Sequence, residues 1–192
     1  MPTALALLVT SRTPASASWV NQQQQKRRVS FGSPPLCISK SRRRYSRRMA
    51  LKIQVTVDCA EPHVVADWWA AALEWEVEPQ DSAFIQSMVD QGFASDADTM
   101  THNGHLVWRE GCAITSPDAN MPRVLFQHAP EGKTVKNRVH FDLRMADGTE
   151  EGALEATRAR LESLGAVYLH TASQGPHSWN TYQDPWGNEF CV

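Results

Sequence analysis

The residues with the clearest chemical capacity are His140 and Asp142, two positions apart in the stretch K-T-V-K-N-R-V-H-F-D-L-R (133–144). Apolar and polar residues alternate from Val139 to Arg144, a period of two that predicts a β-strand with one apolar and one polar face. His140 and Asp142 then point into the same space. An imidazole oriented by a carboxylate can transfer protons near neutral pH. The same pair is equally compatible with a satisfied structural histidine in a polar cavity.

The elements that must position this strand occur in the same order twice. The second half of the sequence after Met49 begins with the strand itself, over Arg138 to Arg144, and continues with a helix over 149–164. Gly165 ends that helix. Three short strands follow, over 166–170, 178–183 and 189–192.

The first half shows the same pattern, with an insertion. A strand over 51–57 precedes a helix that has Pro62 in its first turn and runs to Leu73. Spacings of three and four put Val65, Trp68, Trp69 and Ala72 on one apolar stripe of this helix. Three further strands are predicted over 75–77, 106–114 and 124–126. Between them lie a helix capped by Ser82, over 82–92, and a polar loop over 95–104. The sequence thus predicts an α+β fold with two tandem βαβββ units, about 49–130 and 137–192.

Histidines in the polar loop raise the question of a second site. His102 and His105 lie close to Asp96 and Asp98. Polar loops collect such groups without binding a metal, so we expect a solvated loop here.

Charge divides the chain into two parts. Residues 1–48 contain ten of the 19 basic residues and none of the 21 acidic ones, so the remainder has a net charge of −12. The first part, with its Gln22–Gln25 tract and its arginines, is predicted to be a disordered basic extension. A transit peptide, a nucleic-acid-binding tail and an inert or over-long start all fit its composition. Residues 49–192 are predicted to form one compact domain.

Composition also limits the partners of that domain. A strongly acidic domain is a poor ligand for nucleic acid, and no stretch is long and apolar enough for a transmembrane helix. The four cysteines, Cys37, Cys59, Cys112 and Cys191, are scattered, which favours a reducing compartment. We therefore expect a cytoplasmic protein, or an organellar one if residues 1–48 are a transit peptide. Small molecules and proteins remain as partners.

Three motifs carry a family resemblance over about three-quarters of the chain. They are D-W-W-A-A-A-L (67–73), K-N-R-V-H-F-D-L (136–143) and D-P-W-G-N-E-F-C-V (184–192). With the repeated βαβββ order, they resemble the vicinal oxygen chelate superfamily and, within it, the glyoxalase-like domain proteins. The resemblance implies a glyoxalase/bleomycin-resistance/dioxygenase-type fold, whose paired units enclose a cleft that often holds a divalent metal. Superfamily members also pair two chains, so a homodimer is consistent with it.

The implied metal ligands can be placed on this sequence. The resemblance puts one at Gln54, a residue that glyoxalases also use, and one at His140. The position of the expected glutamate is Cys191, and Glu189 lies two residues earlier on the same face. Gln54, His140 and Glu189 are thus the candidate set, but it lacks the carboxylates that a hard divalent ion prefers. Cys191 with His140 suits zinc, which requires at least one more strong ligand. We therefore expect a metal-free cleft, although a divalent metal is the cofactor that the resemblance implies.

Two hypotheses of different class follow. The first is an enzyme that moves a proton on a small oxygen-rich molecule, as a lyase or isomerase does, with His140 as base and with Asp142 and Glu189 in the catalytic site. Gln54, Trp108, Arg138 and Trp179 are the candidate substrate-binding residues, although tryptophans in such a domain are more often core. The second is a binding protein that sequesters a small molecule without turnover, as some resistance proteins of this fold do. Fold alone does not choose between them.

Overall fold

The computed structural model describes residues 52–146 and 148–192. The predicted basic extension, residues 1–48, lies outside this range. Within it, no helix combines the length and the apolar character that crossing a bilayer requires.

The first half forms a four-stranded sheet with a helix on it. The sheet contains β1 (Val55–Cys59), β2 (Glu76–Val77), β5 (Gly111–Thr115) and β6 (Val124–His128), in the spatial order β1-β6-β5-β2. β1 and β6 are parallel, and the other neighbours are antiparallel. Because the first strand pairs with the last, the predicted strand–helix–three-strand unit closes on itself.

Helix α1 (Pro62–Leu73) supplies the apolar face of this half. Pro62 occupies its first turn, where its missing N–H costs nothing. The predicted stripe of Val65, Trp68, Trp69 and Ala72 is buried. The helix ends at Glu74, which adopts a left-handed conformation with φ 56°.

The second half repeats the topology. Helix α3 (Ala153–Ser163) precedes a three-stranded antiparallel sheet of β7 (Val167–Gln174), β8 (His177–Gln183) and β9 (Glu189–Cys191), in that order. Asp142 forms a parallel bridge with Cys191 of β9. The first segment of this half, around Asp142, thus again lies next to the last strand. The two tandem βαβββ units are confirmed, and the fold class is α+β as predicted.

The strand predicted over Arg138 to Arg144 is reduced to that single bridge. Only Phe141 O and Leu143 N bond to the backbone of Cys191, at 2.9 and 2.8 Å. Val139 is 79% exposed, whereas Phe141 and Leu143 pack on the core. The predicted alternation of buried and exposed side chains therefore occurs only where a neighbouring strand forms hydrogen bonds with this segment.

The insertion in the first half differs from the prediction. After helix α2 (Ser82–Asp90), the predicted polar loop contains a 3₁₀ turn (Asp96–Asp98) and a hairpin of β3 (Thr99–His102) and β4 (His105–Trp108). The hairpin turns at Asn103 and Gly104, both with positive φ. The predicted strand 106–114 is thus two strands in different sheets. The N-cap of α2 is Asp81, which accepts from Phe84 N, and the Ser82 hydroxyl instead donates to Leu106 O.

The hairpin docks on α1 through histidines rather than standing in solvent. His102 Nε2 lies 2.7 Å from Asp67 Oδ2, and the buried His63 bonds through Nε2 to Trp108 O at 2.8 Å. Burial lowers the pKa of His63, and the neighbouring His102 ring lowers it further. These histidines therefore hold the insertion in place, and His105 alone of the loop pair is exposed.

The core joins both halves through aromatic rings. Trp69 of α1 makes edge contacts with Phe141 and Phe190, each with ring centroids 5.3 Å apart. Trp68 Nε1 donates to Leu164 O at the end of α3. Residues of the first half and of the second are thus buried in one cluster.

Candidate functional site

The site begins where the residue 140–143 segment meets β9. Backbone hydrogen bonds from Cys191 N to Phe141 O and from Leu143 N to Cys191 O hold the two segments side by side. Phe141 and Leu143 pack on the core. The side chains of His140 and Asp142, which alternate with them along the chain, therefore face away from the core. The local sequence thus presents an imidazole and a carboxylate beside the thiol of Cys191.

Three side chains of different chemistry converge there. His140 Nε2 lies 3.3 Å from Asp142 Oδ1, and the side chains are 40% and 48% exposed. The candidate metal-ligating atoms of His140, Asp142 and Cys191 all lie within 4.8 Å of one another. Among the described residues this is the one group of three or more His, Cys, Asp or Glu side chains with such spacing. The group combines nitrogen, oxygen and sulfur.

Electrostatics keeps the thiol of Cys191 protonated in the absence of a cation. Burial raises the pKa of Cys191, the Thr181 hydroxyl, whose Oγ1 lies 3.9 Å from Sγ, offsets part of that rise, and the Asp142 carboxylate adds to it. The thiol of Cys191 is therefore a poor nucleophile in the free site at neutral pH.

The group opens on a large cavity. His140, Asp142 and Cys191 all line a space of about 660 Å³, whose other walls include Arg144, His177 and Trp179. A space of this size accepts a small organic molecule. His140 also lines a smaller space of about 230 Å³, together with Arg138 and Glu189 and with residues of β1. It is therefore placed to contact a ligand in either cavity.

Glu189 lies on the wall of the smaller cavity, outside the three-residue group. Its carboxylate accepts from Lys133 Nζ at 3.1 Å and from Asn137 N at 3.0 Å, and its side chain is only 11% exposed. Burial alone raises the pKa of Glu189, but the Asn137 N–H, its own backbone N–H and Lys133 together outweigh it and leave the pKa below its ordinary value. Glu189 is thus a held, ionised carboxylate.

The other predicted site residues are spread over the fold. Gln54 Oε1 accepts from Arg123 Nη1 at 2.7 Å, and Gln54 is among the lining residues of neither cavity. Trp108 lies in β4 of the inserted hairpin and lines neither cavity. Arg138 borders the smaller cavity and Trp179 the larger. The structure therefore brings Arg138 and Trp179 near His140, and it places Gln54 and Trp108 elsewhere.

Comparison with known proteins gives a direct match. Residues 54–192 match the family described as "Glyoxalase-like domain". The chain belongs to this family. It is a glyoxalase-like domain protein of the vicinal oxygen chelate superfamily, as the three sequence motifs predicted. No curated protein matches the chain.

Solved structures similar to the glyoxalase-like chain share little sequence with it. The fosfomycin resistance protein FosX from Mesorhizobium loti is 10% identical, with a TM-score of 0.47, and the match covers 74% of this chain and 90% of FosX. A glyoxalase/bleomycin resistance protein/dioxygenase from Alicyclobacillus acidocaldarius is 8% identical, with a TM-score of 0.44 and coverages of 76% and 92%. These similarities are distant, and the family assignment depends on the match over 54–192.

The metal that the family implies can be tested against the residues present. A hard divalent cation would draw on Gln54, His140 and Glu189. The oxygen of Gln54 accepts from an arginine, and the carboxylate of Glu189 is bonded to Lys133 and Asn137 and does not join the group around His140. This ligand set does not fit a hard cation, because two of its three members already serve cationic or N–H donors.

Several residues around the glyoxalase-like site were not predicted from the sequence. Lys133, which holds Glu189, is 56 positions away from it in sequence, so no local spacing signals the pair. Arg144 and His177 line the larger cavity from separate elements. The Asn103-Gly104 pair, by contrast, is a turn signal that sequence alone offers for the inserted hairpin.

Proposed function

We propose that this glyoxalase-like domain is an enzyme that binds a small oxygen-rich molecule next to His140 and moves a proton on it, in a lyase- or isomerase-type reaction. One observation carries the proposal: the imidazole of His140, which lines both cavities, lies 3.3 Å from the carboxylate oxygen of Asp142, which lines the larger one. His140 accepts the proton, and the Asp142 carboxylate stabilises the imidazolium that forms. A positioned base of this kind accelerates proton transfer about 10²- to 10⁴-fold.

The surrounding residues have distinct parts in this proposal. Arg138, beside His140 in the smaller cavity, offers a cation for an oxyanion, and Trp179 offers a flat wall to a ligand in the larger cavity. Glu189 stays ionised in the wall of the smaller cavity. The ligand itself is defined only as a small molecule with acidic C–H bonds next to oxygen.

The test separates turnover from binding. Small α-hydroxycarbonyl compounds are first screened for those that raise the melting temperature, since a ligand of the native state stabilises it. For each such compound, exchange of its C–H protons for deuterium is followed by NMR in D₂O with wild type, His140→Gln and Asp142→Asn. We expect exchange with wild type, a loss of about 100-fold or more in His140→Gln, and a smaller loss in Asp142→Asn.

The matched control is His105→Gln, which replaces an exposed histidine of the inserted hairpin that lines neither cavity. It should exchange at the wild-type rate. Binding without exchange for every stabilising compound would instead identify a protein that sequesters its ligand, and equal exchange in wild type and His140→Gln would remove His140 from the reaction.

A further inference from the structure

The linker between the two βαβββ units, residues 130–139, contains neither helix nor strand. All of its residues are exposed except Asn137, which is half-buried. Within the described part of the chain, its backbone bonds to no other backbone group, and the nearest such bonds are at Ala129 and at Phe141. The position of the linker therefore depends on side chains.

The hydrogen bonds that the linker makes with the rest of the described chain all go to Asn188 and Glu189. Lys133 Nζ donates to Glu189 Oε1 at 3.1 Å, and Asn137 N donates to Glu189 Oε2 at 3.0 Å. Asn137 Nδ2 donates to Asn188 Oδ1 at 3.3 Å. Both carboxylate oxygens of Glu189 are thus engaged by the linker.

Partial burial strengthens the ion pair of Lys133 and Glu189. Their side chains are only 23% and 11% exposed. Salt screens a partly buried pair much less than an exposed one, and the loss of one partner leaves the other with a charge that water reaches poorly. The pair is therefore able to hold the linker in one place.

His140 lies between two attachments to β9. On one side Asn137 N is bonded to Glu189, and on the other Phe141 O accepts from Cys191 N at 2.9 Å. His140, Asn137 and Glu189 all line the smaller cavity. We infer that Glu189 is a positioning residue: by holding the linker, it keeps the imidazole of His140 at the wall of that cavity.

Lys133 shares this role although it lines neither cavity. A change of Lys133 therefore reaches His140 through Glu189 and the linker, and not through contact with a ligand. The effect of the pair on a reaction rate rests on the proposed function, whereas its effect on the placement of His140 does not.

That placement is measured by NMR on isotope-labelled, full-length protein without ligand. Lys133→Met removes the ion pair, and Glu189→Ala removes both bonds of Glu189 to the linker. In Glu189→Ala we expect the Asn137 amide hydrogen to exchange with D₂O about tenfold faster, because its bond to a charged acceptor is lost. The ring resonances of His140, assigned with His140→Gln, should shift in both variants.

Lys52→Met is the matched control, since Lys52 is exposed and lines neither cavity. It should leave both signals at their wild-type values. Lys133→Arg should restore them, because a guanidinium also donates to a carboxylate. Circular dichroism checks that each variant is folded, and Lys133→Met keeps the test decisive if Glu189→Ala does not fold.

The same variants connect the placement of His140 to the proposed reaction. In the deuterium-exchange assay, kcat of Lys133→Met should fall about tenfold, because a misplaced base is a poor one, with a smaller change in KM. Lys133→Arg should recover most of that rate. A linker with a structural role alone would lower the melting temperature and leave kcat of the folded protein unchanged.

The outcomes are distinct from those of the proposed function. Unchanged His140 resonances in Lys133→Met and Glu189→Ala would overturn the positioning role, and so would equal kcat values in an active wild type and in Lys133→Met. Shifted resonances in a protein whose wild type catalyses no exchange would reject the proposed reaction and retain Glu189 as the residue that places His140.

Discussion

At the residue scale, the closing motif D-P-W-G-N has a structural role that explains its polar residues. The Asp184 side chain is 2% exposed, and its carboxylate accepts from Trp69 Nε1, from the backbone N–H of Trp186 and Asn188, and from Asn188 Nδ2. One carboxylate thus closes the turn before β9 and ties it to α1. This turn determines where β9 begins and therefore where Cys191 lies.

Replacing Asp184 by Ala should therefore be among the more damaging changes to a polar residue. It would leave several buried donors without an acceptor, each at a cost of about 1–3 kcal/mol, so we expect the free energy of unfolding to fall by at least about 3 kcal/mol, measured by urea denaturation.

Asp90→Ala is the comparison. Asp90 is exposed and, among the described residues, accepts only from Gln86, one turn earlier in its own helix, so its loss should cost less than about 0.5 kcal/mol. Similar losses for the two variants would show that the buried network contributes nothing.

At the element scale, the inserted hairpin shows how turn chemistry determines a strand pair. β3 and β4 are joined by only two residues, Asn103 with φ 48° and Gly104 with φ 79°. Both lie in the left-handed region that two-residue hairpin turns require. The hairpin is then docked on α1 by His102 and His63.

Gly104→Ala isolates the conformational part of this effect. A Cβ at Gly104 would meet nothing within 4 Å, so the cost comes from the positive φ alone. We expect a loss of about 1 kcal/mol in the free energy of unfolding, read from thermal or urea denaturation.

Gly132→Ala is the matched control, since a Cβ there also meets nothing within 4 Å and its φ is not in the left-handed region. That variant should be neutral or slightly more stable, because alanine has less freedom in the unfolded chain. An equal loss in both variants would contradict the explanation.

At the scale of the whole molecule, the two βαβββ units share one core. Trp69 is 3% exposed and contacts Phe141 and Phe190 of the second unit, while α1 itself packs on the sheet of the first. Arg160 of α3 donates to Ala72 O at the end of α1. Residues 49–192 should accordingly unfold as a single cooperative unit.

Trp69→Ala tests that coupling. A large cavity at the centre of the shared core should lower the free energy of unfolding by about 3–5 kcal/mol, with circular dichroism and tryptophan fluorescence still giving one coincident urea transition. Phe93→Ala, at a residue that is 70% exposed, should cost less than about 0.5 kcal/mol. Two separated transitions in the wild type would mean that the units fold independently.

Elements whose signals are local could be predicted from the amino-acid sequence. Periodicity and the three motifs predicted the tandem βαβββ order, the buried stripe of α1 and the family, all of which the structure and the family match confirm. Each of these depends on residues close together in the chain.

Tertiary structure alone decided which polar groups meet. Cys191 lies beside Asp142 because β9 runs parallel to that segment, and the ionised Glu189 is paired with Lys133, 56 positions away. The strand predicted over 138–144 is reduced to a single bridge, because only this part of the segment has a neighbouring strand to pair with. A side chain's partners follow from which segments pack together, and no spacing within one segment contains that information.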